Sequence, residues 1–517
     1  MKIKNILKVT NGKMLIGDEN LVCDSFSKDT RTINFGDVYV GIKGENFDGN
    51  LFYKDAIKNG ASVCILDNEN VVEKKLGTII IVNDSILALG ALASYKRDLY
   101  DIPVIAITGS VGKTSVKDMI HEVLKMKYNV LCTKENYNNN IGVPLTILGL
   151  KNHNALIVEM GMNHMKELSY LSKIAKPTMA LITNIGTAHI GNLGSRENIL
   201  KAKLEVLDGM NGGKLFINND DDMLQKVQYG SLVTIGIENK SDFMATDIKE
   251  DAFSSRFKIN NQDIKLNVGS NAFVYNALFA YAVGEYLGVS KENIEAALEN
   301  FKLSPHRLEK IETKKYTIID DTYNASLDSV KNSLGLLSKV LGRKVFVFAD
   351  ILEIDNFAKE IHEEVAESIM ENNIDITICV GNQSKYTYEK LKSNNKETYY
   401  FESNIDLINN LNSILKEKDT ITICAPNIPE TMIYFYACNR IGVTPYLVDP
   451  RCSAKRIIDC MNVSNSKLLV SLLDTMNKNV IPNDIPTDNI VVISPHDDFI
   501  KSKEKLSKNA LEVKALY

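Results

Sequence analysis

The sequence has little of what disulfide-rich, membrane or polyanion-binding proteins need. Its 8 cysteines are scattered over 517 residues without a C-x-x-C pair, which argues against a zinc site or a disulfide framework. No run approaches the ~18 apolar residues of a membrane span, and the N-terminus lacks a sustained apolar stretch. Lysine and arginine number 60 against 65 acidic residues, so no nucleic-acid-binding surface is indicated. We expect a cytoplasmic, multidomain protein with no membrane insertion.

The most informative segment runs from Ile105 to Ile120. Its apolar start predicts a buried strand, and apolar residues at i, i+3 and i+4 spacing after it predict a helix. Between them lie six residues that match a short phosphate-binding loop: Gly109, Ser110, Val111, Gly112, Lys113 and Thr114. Glycines allow backbone N–H groups to approach phosphate oxygens, and the N-terminus of a helix favours an anion. Lys113 would reach the terminal phosphates of a nucleotide and Thr114 would ligate Mg²⁺.

The order of predicted elements indicates an α/β protein. From the phosphate loop onwards, β-branched segments alternate with amphipathic helical segments, which favours parallel sheets covered by helices. We predict four sections: 1–102, 103–303, 304–418 and 419–517. Length alone predicts about three or four domains.

Two further polar residues follow predicted strands. Glu159 ends the segment LIVE, and His189 lies in the turn NIGTAHIG after MALIT. Ligands of α/β sheets bind at the carboxyl ends of strands, and a carboxylate oxygen there suits Mg²⁺. For His189, a plain hydrogen-bonded loop residue is the alternative interpretation.

Lys203 lies on the apolar side of a predicted helix from Ser195 to Met210, whereas Lys201 faces the solvent side. A lysine among apolar residues is costly unless it is paired or chemically altered. The alternative is that its alkyl stem reaches along the surface to water.

The segment TKENYNNNIGVP contains an asparagine cluster that includes Asn136, Asn138 and Asn139. Amide side chains can bond both substrate and phosphate without carrying charge. A polar loop with no ligand explains the composition almost as well.

The segments quoted above, with VEMGMNHMKEL and IIDDTYNASLDS, resemble in this order the Mur ligases of peptidoglycan synthesis. The resemblance covers residues 1 to about 418, and it implies the three-domain architecture of that family. DTYNAS, at 321–326, resembles the branch of the family that adds D-alanyl-D-alanine. The N-terminal DTRTINFGDVYVGIKGENFDGN resembles the part of these ligases that binds a uridine nucleotide.

The resemblance assigns roles to individual positions. It implies catalytic roles for Lys113, His189 and a carbamylated Lys203. It implies metal ligation by Thr114, Glu159, His189 and Lys203. ATP contacts are implied for Gly109, Ser110, Val111, Gly112, Lys113, Thr114, Ser115, Asn136, Asn276, Arg307 and Asp321. Substrate contacts are implied for Thr30, Arg31, Lys43, Asp48, Gly49, Tyr323 and Asn324.

The chemistry implied by the resemblance is ATP-dependent amide ligation with Mg²⁺. The terminal carboxylate of UDP-MurNAc-tripeptide attacks the γ-phosphate of ATP, giving an acyl phosphate. The amine of D-Ala-D-Ala then attacks and phosphate leaves. We expect a monomer whose 1–102 section binds the UDP-sugar, whose 103–303 section binds ATP and whose 304–418 section is the C-terminal ligase domain.

Several positions depart from the family pattern. Ala272 stands where a histidine is usual, although Asn276 remains, and Leu327 replaces a proline. In FADILEID, Ala349 and Asp355 replace glycines, which restricts the backbone. The Lys-Gly-Ser motif expected after LKEKDTITI is absent.

The section 419–517 resembles instead an N-terminal fragment of acyl-CoA-synthetase-like adenylating enzymes, over 419 to about 474. It lacks the phosphate loop and later motifs of those enzymes, so we expect no carboxylate activation by the tail alone. We expect the segment DTITICAPN to form the final strand of the third domain and residues 429–441 to form its closing helix. We expect 419–441 to be integral and the chain beyond about 475 to be dispensable.

Two other functions stay open at the level of sequence. One is a weakened ligase remnant that binds nucleotide or UDP-sugar. The other is a sister ligase that adds a different amino acid.

Overall fold

The computed structural model describes residues 1–23, 25–45, 47–73, 76–313, 315–415, 420–424, 468–472, 489–493 and 510–511. The chain divides into two compact units. The first comprises Met1–Glu402 with Leu415–Asn427, and the second comprises Ser403–Ile414 with Ile428–Tyr517. Among the described residues, no helix combines the length and the apolar character that crossing a membrane requires.

The first unit begins with a five-stranded sheet of order β1-β5-β4-β3-β2, in which only β1 runs antiparallel to its neighbour. Its elements are α1 (Ile3–Thr10), β1 (Lys13–Ile16), β2 (Phe26–Ser27), β3 (Val38–Val40), α2 (Tyr53–Lys58), β4 (Val63–Leu66), β5 (Thr78–Ile81) and α3 (Ser85–Arg97). Short 3-10 turns at Thr30–Thr32, Gly49–Phe52 and Glu69–Val71 lie in its loops.

A nine-stranded sheet follows. Its elements are β6 (Val104–Thr108), α4 (Lys113–Leu124), β7 (Val130–Cys132), α5 (Gly142–Leu148), β8 (Ala155–Glu159), α6 (Glu167–Ala175), β9 (Met179–Ile182), α7 (Ile190–Leu193), α8 (Arg196–Leu204), β10 (Lys214–Asn218), β11 (Leu232–Gly236), β12 (Phe243–Glu250), β13 (Ser255–Ile259), β14 (Gln262–Leu266), α9 (Asn271–Tyr286) and α10 (Lys291–Glu299). The strand order is β14-β13-β12-β11-β10-β9-β6-β8-β7, parallel from β12 to β7. The parallel α/β prediction is confirmed.

The register of this sheet brings the predicted site to one edge. Ile107 of β6 pairs with Glu159 of β8, and Thr108 pairs with Ile182 of β9. The phosphate loop, Glu159 and the 183–189 turn therefore leave the sheet side by side. Helix α4 buries the apolar face that its spacing predicts, from Val116 to Leu124.

The third sheet has the order β15-β16-β20-β17-β18-β19. Its elements are β15 (Glu309–Glu312), β16 (Thr317–Asp320), α11 (Leu327–Ser338), β17 (Lys344–Ala349), α12 (Ala358–Glu371), β18 (Ile376–Val380), α13 (Ser384–Ser393), β19 (Thr398–Phe401) and β20 (Thr420–Cys424). β20 pairs in parallel with β16 on one side and β17 on the other. The prediction that DTITIC supplies the last strand is confirmed, and that strand is central.

The second unit contains α14 (Asn404–Ile414) and a parallel three-stranded sheet. The sheet consists of β21 (Leu468–Leu472), β22 (Asn489–Ile493) and β23 (Ala510–Leu511). The predicted helix 429–441 lies outside the described residues. β21 finds its partners beyond position 475, which the sequence pattern does not indicate.

Candidate active site

The loop between β6 and α4 is shaped by its two glycines. Gly109 and Gly112 have φ of +148° and +84°, and a Cβ on Gly109 would lie 1.8 Å from the Thr183 hydroxyl. Asn184 fixes the loop, because its side-chain oxygen accepts from the N–H groups of Ser110 at 3.1 Å and Val111 at 2.9 Å. Asn184 lies two positions after β9 but 74 residues from Ser110, so sequence reasoning missed it.

The side chain of Lys113 folds back onto this loop. Its ammonium donates to the Gly109 carbonyl at 2.8 Å and to the Ser110 carbonyl at 3.3 Å. Burial lowers the pKa of Lys113, and the nearby Glu159 carboxylate opposes that effect. A cation held at a helix N-terminus is suited to a polyphosphate. Asn276 of α9 lies on the other side of the loop. Its side-chain oxygen is 3.3 Å from the position that a Cβ on Gly112 would occupy.

Oxygen ligands suited to a hard cation converge beside Lys113. The Thr114 hydroxyl donates to one oxygen of Glu159 at 2.9 Å, and Asn138 donates to the other at 2.9 Å. Glu159 is only 2% exposed. Thr114 and Glu159 thus offer Mg²⁺ a hydroxyl and a carboxylate side by side.

Of the asparagine cluster, Asn138 is the member that reaches the site, whereas Asn136 is exposed. Asn139 instead accepts from the N–H groups of Ile141 and Gly142 at the start of α5. Side chains in an irregular loop do not alternate in direction with a fixed period, as they do in a helix or strand. The sequence therefore could not predict which of these asparagines reaches the site.

Lys203 is 1% exposed, while Lys201 is exposed. The helical-face prediction is therefore confirmed. Burial, aided by the charge of Lys113, lowers the pKa of Lys203 well below its ordinary value. Among the described residues, no carboxylate or hydrogen-bond acceptor contacts its ammonium.

His189 lies in the turn after β9 with φ of 65°. Its Nδ1 lies 2.6 Å from an oxygen of Glu353, a residue of the loop after β17. The interaction with His189 lowers the pKa of Glu353. Glu353 was missed at the level of sequence because 164 positions separate it from His189.

The segment before β15 supplies Arg307. Its guanidinium donates to the Thr114 hydroxyl at 2.9 Å and stacks 3.9 Å from the centre of the Tyr323 ring. Asp321 accepts from Ser333, and burial raises the pKa of Asp321 to about 6. Asn324 is exposed and caps the N–H of Ala325 at 2.9 Å. Arg307 and Tyr323 thus join the third sheet to the phosphate loop.

The residues predicted to bind the UDP-sugar lie in the first sheet region. Thr30 accepts from Asn59, the exposed Arg31 pairs with Asp29, and Gly49 donates to Ile42. Lys43 and Asp48 form a backbone bridge. Lys28 lies 5.8 Å from the centre of the Tyr137 ring, so this region adjoins the asparagine loop.

A phosphate loop, a buried carboxylate, a buried lysine and an arginine from a second sheet define a nucleotide-dependent α/β enzyme. Comparison with known families is specific. The Mur ligase middle domain matches residues 107–284, and the Mur ligase glutamate ligase domain matches 306–427. The AMP-binding enzyme family matches 407–515, so the two families overlap at β20.

Two similar proteins carry the same name. The UDP-N-acetylmuramoyl-tripeptide–D-alanyl-D-alanine ligase of Buchnera aphidicola subsp. Baizongia pistaciae is 33% identical over 81% of this chain and 94% of its own. The ligase of that name from Bacillus subtilis is 33% identical over 75% and 86%. The structure of MurF from Acinetobacter baumannii is 28% identical, with a TM-score of 0.77 over 84% and 98%. That of Thermotoga maritima MurF ligase in complex with ADP is 26% identical, with a TM-score of 0.70 over 79% and 95%.

The chain belongs to the Mur ligase family, in the branch of UDP-N-acetylmuramoyl-tripeptide–D-alanyl-D-alanine ligases. It is therefore a ligase, and the expected family and fold are confirmed. The resemblance of the tail to adenylating enzymes is also confirmed.

Proposed function

We propose that this chain joins D-alanyl-D-alanine to UDP-N-acetylmuramoyl-tripeptide in the cytoplasm, using ATP, in peptidoglycan precursor synthesis. The observation that carries the proposal is the contact of Arg307 with Thr114. It assembles the phosphate loop and the third sheet into one site in a chain that spans 94% of a ligase of this name.

Two like-charged groups must approach in the first step, the tripeptide carboxylate and the γ-phosphate. Lys113 and Arg307 lower this barrier by placing positive charge where negative charge accumulates. The C–O–P bond of the acyl phosphate forms as the bond to ADP breaks. The uncharged amine of the dipeptide then attacks the acyl carbon, loses a proton, and phosphate leaves with the bonding electrons.

The side chains at this edge fit Mg²⁺. Thr114 and Glu159 would hold one ion, and His189 with a modified Lys203 would help to hold a second. Bound there, Mg²⁺ supplies charge neutralisation of the phosphate oxygens. The protein's own part is to fix these ligands, which the bonds of Asn138 and Arg307 do.

The surroundings of Lys203 support carbamylation. A lowered pKa favours the uncharged form of the Lys203 amine, and only the uncharged amine attacks CO₂. The new N–C bond gives a carbamate and releases a proton. The product is an anionic oxygen ligand in place of a buried cation, which suits a site beside Lys113.

For the remaining predicted residues we infer roles by region. The first sheet region would bind the UDP-sugar through Thr30, Arg31, Lys43, Asp48 and Gly49. Asn136, Asn276 and Asp321 would contact the nucleotide, and Tyr323 and Asn324 the peptide.

Mass spectrometry of the reaction product tests the proposal. The full chain is incubated with ATP, Mg²⁺ and UDP-MurNAc-tripeptide, and with D-Ala-D-Ala, D-alanine or L-lysine as separate amine donors. We expect a product carrying D-Ala-D-Ala and none with the single amino acids. Product with a single amino acid instead would contradict the proposed substrate.

A further inference from the structure

The loop after β17 contacts both the turn after β9 and the start of α7. Besides the Nδ1–Oε2 pair of His189 and Glu353, the N–H of Gly191 donates to the Glu353 carbonyl at 3.2 Å. A Cβ on Gly191 would lie 2.8 Å from that carbonyl and 2.8 Å from the Asp355 carboxylate. The two backbones are therefore in direct contact.

Both segments adopt uncommon backbone conformations at this contact. His189 and Glu353 have φ of 65° and 62°, and Asp355 has φ of 39°. Non-glycine residues in the left-handed region are uncommon and gather at functional sites. Asp355 stands where the family has glycine, and the chain keeps a left-handed backbone there despite the added side chain.

The other end of the same turn is also held by the third sheet region. Asp328, in the first turn of α11, accepts from the N–H of Thr187 at 3.4 Å. A Cβ on Gly186 would lie 1.8 Å from the Asp328 carboxylate. Three carboxylates of the third sheet region, those of Asp328, Glu353 and Asp355, thus flank the 186–191 segment that carries His189.

We propose that Glu353 is a positioning residue that orients His189 for the active site and couples that orientation to docking of the third sheet region. The Glu353 carboxylate lies 2.6 Å from Nδ1, which would favour a proton on that nitrogen and leave the Nε2 lone pair on the opposite edge of the ring as the ligand atom. Histidine ligands of metals are commonly oriented in this way by a carboxylate. Because Glu353 lies in another sheet region, His189 is oriented only when that region is in place. This inference rests on the proposed role of His189 as a ligand.

The ring tautomer of His189 gives a readout that needs no turnover. In the ¹⁵N-histidine-labelled full chain, the signal lost in His189→Gln identifies His189. We expect Nδ1 to carry the proton in the parent and both tautomers to be populated in Glu353→Ala. An unchanged tautomer in Glu353→Ala would overturn the proposal, whether or not the chain ligates D-Ala-D-Ala.

Metal affinity gives the second readout. We expect Glu353→Ala to weaken Mn²⁺ binding in the presence of a non-hydrolysable ATP analogue by about 10- to 100-fold. Glu353→Gln keeps an acceptor oxygen, so its loss should be clearly smaller. Glu364→Gln is the matched control, because Glu364 is a half-exposed third-region carboxylate that pairs with Lys331.

A comparison of kcat with the KM for ATP distinguishes a role in orienting His189 from a role in binding ATP. In Glu353→Ala, kcat should fall by about 10- to 100-fold while the KM for ATP stays within about twofold. Mn²⁺ affinity and kcat equal to those of Glu364→Gln would overturn the proposal. Glu353 is half exposed, with a side-chain exposure of 50%, and its removal leaves the apolar core intact.

Discussion

At the scale of single residues, the two neighbouring lysines of α8 show how far helical geometry predicts environment. Lys201 and Lys203 are two positions apart, about 200° around the helix, so one faces water when the other faces the core. The structure places Lys203 at 1% exposure without a partner among the described residues. A buried cation in this setting is costly, and carbamylation removes the cost.

We therefore expect Lys203→Ala to lose ligation activity and Lys201→Ala to keep it. Short carboxylic acids should partly restore Lys203→Ala, because they supply the missing oxygen ligand. In the parent, ¹³C-bicarbonate should give a carbamate NMR signal that Lys203→Ala lacks. Equal sensitivity of the two lysines, with the same signal in both variants, would exclude carbamylation.

Asp321 provides a prediction on pH. Burial raises its pKa from 3.8 to about 6, while Ser333 and Arg307 partly oppose this. Between these two values the folded chain keeps a proton that the unfolded chain has released, so this group contributes less stability as the pH rises. The free energy of unfolding of Asp321→Asn relative to the parent should increase from pH 4.5 to pH 6.5, by roughly 1 to 3 kcal/mol.

Urea unfolding at half-unit pH steps measures this difference. The loss of the Ser333 bond shifts the difference by a constant, so the slope with pH is the quantity that matters. A difference that is the same at every pH would show that the Asp321 carboxyl titrates alike in both states.

The residue scale also shows where sequence reasoning ends. The loop glycines, Lys113, Thr114 and Glu159 are predictable, because strand–loop–helix order fixes which groups leave the sheet edge together. The contacts of Asn184, Asn138 and Glu353 depend on how irregular turns meet across the fold, and no periodic pattern encodes them. The site roles themselves stay predictions.

At the scale of elements, β20 is the feature with the clearest energetic meaning. It lies between β16 and β17, so its backbone groups bond on both sides. The two families that match the chain overlap here, at 407–427. A strand shared by two families in this way is consistent with a fusion in which the tail contributes the strand that the ligase sheet requires.

Truncation tests this point. Ending the chain after Lys418 removes β20, leaving β16 and β17 with unpaired edges, so we expect insoluble or molten protein. Ending it after Asp474 keeps β20 and removes β22 and β23 from the other unit, so the melting temperature of the ligase part should change by less than about 3 °C. If the shorter chain behaved better, the tail would be an independent appendage.

The prediction of β20 succeeded because a short apolar, β-branched run bounded by turn residues is typical of a buried strand in an α/β fold. Its central position could not be predicted, since strand order depends on the crossovers of the whole sheet. The partners of β21 were missed for the same reason, because they lie beyond a polar stretch with weak periodicity.

At the scale of the whole molecule, three sheets from distant parts of the chain belong to one compact unit, and the proposed site draws on two of them. The α/β class was predictable from alternation of strands and helices. The predicted section boundaries at 102, 303 and 418 stay predictions, although the strands of the three sheets lie at 13–81, 104–266 and 309–424. We expect the position of the third sheet region to matter most for activity, because Arg307 and the proposed positioning residue Glu353 both come from it.

Phosphate release from ATP by the full chain, with UDP-MurNAc-tripeptide and with or without D-Ala-D-Ala, tests the central claim most directly. We expect release that depends on UDP-MurNAc-tripeptide and is stimulated at least about 10-fold by the dipeptide. Lys113→Ala should lower kcat by about 100-fold or more, by analogy with removal of one oxyanion donor. Lys125→Ala, a change at the exposed end of α4, should retain activity. Tight nucleotide or UDP-sugar binding without dipeptide-dependent phosphate release would contradict the account and identify a ligase remnant.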